Sequence, residues 1–298
     1  MELGRLLTAM VTPFDREGKV DYAQAKRLAL ALLDSGSEGL VIAGTTGESP
    51  TLTHDEKVRL FGEIKGAVGN RGCMVAGTGT YDTAESIELS RAAERAGADA
   101  VLLTTPYYSR PPQEGLYRHF AAIAGATSLP CIIYNIPTRT GVNVTLETQL
   151  RIAEIPNMAG VKESSGDLGQ ISAIIEQAPR SYRVWSGDDN LILPILAVGG
   201  YGAISVAAHL TGGQIQKMVQ AQLSGRHEEA SAIHRRLLPL FNTLMAAWGN
   251  PGGVKFALRQ AGFDAGGFRL PLCEPDEAAA EKITAELKRQ HIDLAVAV

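Results

Sequence analysis

Short runs of uninterrupted apolar residues alternate along the chain with longer stretches in which apolar residues recur three and four positions apart. The short runs fall at 6–11, 39–43, 74–77, 100–104, 131–135, 159–162, 183–186 and 202–206, and their length and composition predict strands. Longer stretches such as 22–35, 55–68 and 83–96 carry the apolar stripe of an amphipathic helix. Thr53 precedes Glu56, and Asp82 precedes Glu85, each pairing a capping side chain with an acidic residue three positions later, as at a helix start. Strands that are apolar throughout and separated by helices belong in a parallel sheet buried on both faces. Eight such units in succession predict an α/β fold, a (β/α)8 TIM barrel.

After about residue 224 the strand pattern stops. Helical segments follow at 226–247, 252–261 and 275–290. The predicted organisation is a catalytic barrel over 1–224 and a C-terminal helical extension over 225–298. The chain has no repeat of solenoid length, no Pro/Ser linker and no low-complexity tail, so the extension is expected to pack on the barrel.

Composition narrows the class of function. Hydrophobic residues make up 45% of 298 residues and charged residues 20%, as in a soluble globular protein with a sizeable core. A net charge of -4 provides no electrostatic footprint for nucleic acid or an anionic membrane. The stretch 191–210 lacks charged residues over a span-like length, but Pro194, Gly199, Gly200 and Gly202 interrupt it. It reads as a buried helix followed by a buried strand. Residues 1–10 do not have the form of a secretory signal. Cys73, Cys131 and Cys273 are scattered without CxxC spacing, which argues against a disulfide framework or a zinc site and fits a reducing, cytoplasmic setting.

In a parallel barrel the chemistry collects at the C-terminal ends of the strands. Lys162 ends the sixth predicted strand. Two readings fit a lysine there: the chain is emerging into solvent, or burial lowers the amine's pKa and frees it to attack a carbonyl. The second strand runs into Gly44-Thr45-Thr46-Gly47-Glu48, either an ordinary tight turn or a loop whose N–H groups wrap a small carboxylate. The fourth ends in Tyr107 and Tyr108, and the fifth in Tyr134 followed by Arg139; tyrosines in such places are also common as rim residues. Together these groups suit a keto acid. The six histidines form no HxH or HExxH pair, so no metal site is expected. Asp188 and Asp189 are read as capping the helix that follows them, in preference to holding a cation.

The segments GTTGES, TTPYYSRPPQEGLYRHF, YNIPTRTG, GVKESSGD, SGDD and GAISV occur in the order and at the spacing of one family. The chain resembles the dihydrodipicolinate synthase family, in the pyruvate aldolase superfamily shared with N-acetylneuraminate lyase, from about Leu6 to Leu272. The resemblance implies an imine between Lys162 and pyruvate, with Tyr134 as general acid/base. Thr45 and Tyr108 would complete a hydroxyl relay, Tyr108 reaching into the neighbouring subunit's site. The Thr46 loop would hold the pyruvate carboxylate, Arg139 the carboxylate of aspartate 4-semialdehyde, and the carbonyls of Gly187 and Ile204 would line the pocket. The resemblance further implies a homotetramer built as a dimer of dimers, lysine and diaminopimelate biosynthesis, and no metal or organic cofactor.

Arg139 favours the synthase over relatives that act on sugar-derived keto acids. A complete relay of Lys162, Tyr134, Thr45 and Tyr108 disfavours a non-catalytic, metabolite-binding barrel. Ser49, Pro50, His54, Lys57, Tyr81, Glu85 and Tyr107 match a lysine feedback site of the family. Lysine-regulated members often have histidine at the place of Lys57 and asparagine at that of Tyr81. A cation and a bulky phenol there predict weak or absent feedback.

Overall fold

The computed structural model describes residues 3–295. Eight parallel strands, β1 (Leu6–Ala9), β2 (Gly39–Ile42), β3 (Cys73–Gly77), β4 (Ala100–Thr104), β5 (Cys131–Asn135), β6 (Met158–Glu163), β7 (Arg183–Ser186) and β8 (Gly202–Ser205), form one closed barrel in sequence order. The predicted (β/α)8 barrel is therefore what forms.

The strand limits differ from the apolar runs where the backbone turns. Ala43, the last residue of the second run, has φ 55°, a left-handed conformation that ends β2 one residue early. At β6 the difference is in the other direction. Glu163 extends the strand, pairing with Asn135 on one side and Ser186 on the other.

Alternate side chains point into the bore and out to the helices. Leu7, Val41, Val75, Leu102, Ile132, Trp185 and Ile204 form the inner cluster. Their neighbours Leu40, Ile42, Met74, Val101, Ile133, Val161 and Val184 pack outward in the larger core. Tyr134, Lys162 and Trp185 are in register across β5, β6 and β7, so the lysine shares a layer with bore residues.

The helix His54–Val68 starts with the predicted capping box, Thr53 accepting from the Glu56 N–H and Glu56 from the Thr53 N–H. Asp82 caps the helix Thr83–Arg95 by accepting from the Glu85 N–H. The uncharged stretch becomes the short helix Ile192–Ala197 and then β8. No helix among the described residues is long and apolar enough to cross a membrane. The later helices are His227–Ala246, Gly252–Gln260 and Glu277–Leu287. The first of these packs on the helix Ala208–Leu223 of the barrel and on both of its successors, burying Ile233, Leu237, Leu240, Phe241 and Leu244.

Candidate active site

Lys162 stands inside the mouth of the barrel with 4% of its surface exposed, and its Nζ lies 4.1 Å from the centre of the Tyr134 ring. Burial lowers its pKa from 10.5 to about 8; the carboxylates of Asp188 and Asp189 oppose that shift, and Arg139 adds to it. A substantial neutral fraction near neutral pH is what a nucleophilic amine needs. Gly187 leaves room for the side chain: a Cβ there would come within 3.0 Å of Lys162 Cε and 2.1 Å of Ser164 Oγ.

Tyr134 is 5% exposed. Burial, reinforced by Asp188, pushes its phenol well above the ordinary range, while Ser164 and Arg139 act in the other direction. The phenol therefore keeps its proton across the neutral range.

The Gly44–Glu48 loop is a compact turn bounded by two left-handed residues, Ala43 and Glu48. Gly47 N–H donates to Gly44 O at 3.0 Å, Glu48 N–H to Thr45 O at 3.1 Å and Ser49 N–H to Gly44 O at 3.3 Å. These bonds leave the N–H groups of Thr45 and Thr46 outside the turn's own ladder, as an anion-binding loop requires. Thr46 is buried, and its Oγ1 accepts from Asn250 Nδ2 at 2.8 Å.

Arg139 sits on the four-residue helix Pro137–Thr140 just beyond β5. It is exposed, and its Nη2 donates to Asn250 O at 3.1 Å. Asn250, from the C-terminal helical region, thus touches both the Gly44–Glu48 loop and the arginine. Another tie lies beneath. Lys255 donates to Glu48 at 2.7 Å, both side chains fully buried, and also to Gly267 O at 2.6 Å. The Asn250–Thr46 and Lys255–Glu48 contacts are not foreshadowed by the sequence pattern, because their partners are more than 200 residues apart.

A cavity of about 410 Å³ opens at the mouth, with Thr45 and Arg139 on one part of its wall and Ser49, Lys57, Glu85 and Tyr107 on another. Tyr81 also lines it, its ring set edge-on to Tyr107 with centroids 5.2 Å apart. Most of the residues matched to a regulatory site therefore face one space. His54 does not: it is exposed at the start of its helix and outside that wall. Tyr108 is 94% exposed at φ 72°, so the structure does not bring it to the Lys162 of its own chain. Ile204 is fully buried in β8, in register with Leu7.

The aspartates differ from the sequence reading. Asp188 makes no side-chain cap. Asp189 turns away from the helix that follows it and accepts from Ser205 and from the N–H groups of Val206 and Ala207 at 3.2 and 2.8 Å. It secures the β8 end, where three donors repay its burial. Asp188 is instead left near Lys162, Arg139 and Ser164, which together oppose the rise that burial causes in its own pKa. Among the described residues no three His, Cys, Asp or Glu side chains come together as a metal site.

The sequence model of the dihydrodipicolinate synthetase family matches residues 2–290. The 4-hydroxy-tetrahydrodipicolinate synthase of Moorella thermoacetica is 58% identical over 288 residues, 97% of this chain and 98% of the relative. The crystal structure of dihydrodipicolinate synthase from Bacillus anthracis superimposes with a TM-score of 0.94 at 41% identity, covering 97% of this chain and 98% of the other. The enzyme from Cyanidioschyzon merolae with lysine bound has the same TM-score and identity, over 96% and 98%. A buried lysine facing a tyrosine at the mouth of the barrel, in a chain matched over almost its whole length, places this protein in the dihydrodipicolinate synthetase family.

Proposed function

We propose that this chain condenses pyruvate with L-aspartate 4-semialdehyde to give 4-hydroxy-tetrahydrodipicolinate, the entry to lysine and diaminopimelate biosynthesis, through an imine at Lys162. The observation that carries the mechanism is the buried Lys162 amine, its pKa lowered to about 8, against the Tyr134 ring.

The neutral amine adds to the keto carbon of pyruvate while the N–H groups around Thr45 and Thr46 hold the carboxylate. Tyr134 donates a proton to the hydroxyl of the adduct, which leaves as water. The resulting imine acidifies the methyl group, and loss of a proton gives an enamine. The enamine carbon attacks the aldehyde, whose own carboxylate is held by the planar guanidinium of Arg139. Attack of the substrate amine on the imine carbon then closes the ring and releases Lys162. Gly187 and Ile204 supply carbonyls along the pocket, and Thr45 with Tyr108 from a neighbouring subunit returns protons to Tyr134. Every step uses side chains and substrate groups, so the mechanism calls for no metal or organic cofactor. The assembly is a homotetramer acting in the cytoplasm.

Steady-state turnover with each aldehyde tests the substrate. Aspartate semialdehyde should be consumed far faster than sugar-derived partners. Arg139→Met should raise its KM about 10- to 100-fold with smaller changes in pyruvate KM. Equal use of a sugar-derived substrate by the wild type would contradict the assignment.

A further inference from the structure

Glu163, at the end of β6, is fully buried, as are Asn135, its register partner at the end of β5, and Gln149. Successive side chains on a strand face opposite ways. Tyr134 and Lys162 turn into the barrel mouth, so Asn135 and Glu163, one residue on, turn outward to the helix Leu146–Ala153 that carries Gln149. A buried carboxylate is expensive to desolvate, and an apolar side chain of the same shape would pack there without that cost. Three neutral donors meet it: Asn135 Nδ2 at 3.0 and 3.3 Å, Gln149 Nε2 at 3.0 Å and the Ser165 N–H at 2.9 Å.

The bonds run on from there to the segment that bears Arg139. Asn135 Nδ2 also donates to Asn143 Oδ1 at 2.7 Å, and Asn135 Oδ1 accepts from the Val144 N–H at 3.0 Å. Gln149 Nε2 donates to Val144 O at 3.2 Å. Asn143 Nδ2 donates at 2.8 Å to Gln170 Oε1, on the helix Leu168–Gln177. The chain thus leaves β5 at Asn135, carries Arg139 on its short helix, and returns at Val144 to the same carboxylate-centred cluster. A satisfied polar cluster fixes directions that apolar packing leaves free.

We infer that Glu163 is a positioning residue that holds two parts of the active site from behind: the Lys162–Tyr134 pair, through the strand ends, and the Arg139 loop, through Asn135. The role rests on Lys162 as nucleophile and Arg139 as the anchor of the second carboxylate. Glu163 transfers no proton. None of its bonds reaches the Gly44–Glu48 loop, so the hold on the pyruvate carboxylate lies outside its influence.

Glu163→Gln keeps the shape but sets an NH2 against a donor whichever end it occupies. Gln149 Oε1 is buried and unpartnered among the described residues, but turning that amide over to accept would release Val144 O and pass the disturbance to the Arg139 loop. The variant should lower kcat about tenfold and raise the KM for aspartate semialdehyde about threefold or more, without raising pyruvate KM above about twofold. Unchanged kinetics would reduce the carboxylate to packing, and a joint rise of both KM values would show general loosening; either overturns the role. Asn143→Ala, at the half-buried outer end of the cluster, spares every bond to Glu163 and decides the matter if Glu163→Gln does not fold. It should raise the aspartate semialdehyde KM about twofold or more with kcat within about twofold; an unchanged KM, or a tenfold loss of kcat, overturns the role. Borohydride trapping of pyruvate on Lys162 in wild type separates the two claims. Its failure overturns the underlying mechanism, whereas success with unchanged variant kinetics overturns the role of Glu163 alone.

Discussion

Lys162 closes an apolar run, a position at which burial and emergence into solvent were equally good readings of the sequence. In the structure it is buried, and the consequence is measurable in two ways. The rate of imine formation should rise with pH and level off above about pH 8, as the amine loses its proton. The same burial works against folding. The folded lysine titrates near 8 and the unfolded one near 10.5, so the unfolded chain binds more protons between those values and stability rises with pH across that window. Below it the cost is fully present. Lys162→Met should therefore stabilise the protein at pH 7, by up to about 3 kcal/mol, seen as a higher denaturant midpoint; a lower midpoint would contradict a buried, poorly solvated ammonium. That Lys162, Tyr134, Thr45, Thr46 and Arg139 stand at one end of the barrel was legible because strand ends in a barrel converge. The surroundings of Asp188 and Asp189 were not, because they depend on where β7 and β8 set them relative to Lys162 and Ser205.

At the scale of elements, the alternation of apolar runs and helical stripes was sufficient to read eight strands and their closure, and the capping residues marked helix starts to within a residue. The pattern had nothing to say about the ties between the C-terminal helices and the site. Glu48 closes the Gly44–Glu48 loop in a left-handed conformation, and Lys255 holds it from the helix Gly252–Gln260. Removing one partner of a pair buried this completely should cost about 3–5 kcal/mol. Lys255→Met should thus lower the urea midpoint markedly and raise pyruvate KM through the loosened loop. Adding Glu48→Gln should recover part of the lost stability, because the stranded carboxylate is gone. Equal stability of Lys255→Met and wild type would show that the pair is dispensable. Asn250, bonded to Thr46 and hydrogen-bonded from Arg139, makes the same point: the barrel supplies the reactive groups and the extension fixes their spacing.

At the scale of the whole molecule, Tyr108 is directed to solvent by its own chain, which fits a residue that serves another subunit. Mixed assemblies should reveal this. Lys162→Met subunits carry an intact Tyr108 and Tyr108→Phe subunits an intact Lys162, so dissociating and reassembling the two together should restore activity above that of either alone. No recovery would confine catalysis to one chain. The cavity shared by Thr45, Lys57 and Glu85 bears on regulation. Lys57 is 6% exposed, with its pKa lowered by burial and raised in part by Glu85, so a dibasic ligand meets a resident cation. Lysine should inhibit only weakly, and strong inhibition at submillimolar concentration would contradict this. The central claim, a class I mechanism at Lys162, is tested most directly by incubating the protein with pyruvate, reducing with borohydride and sequencing the labelled peptide by mass spectrometry. The account predicts a single reduced pyruvate adduct on Lys162; an unmodified Lys162, or an adduct on another lysine, would contradict it.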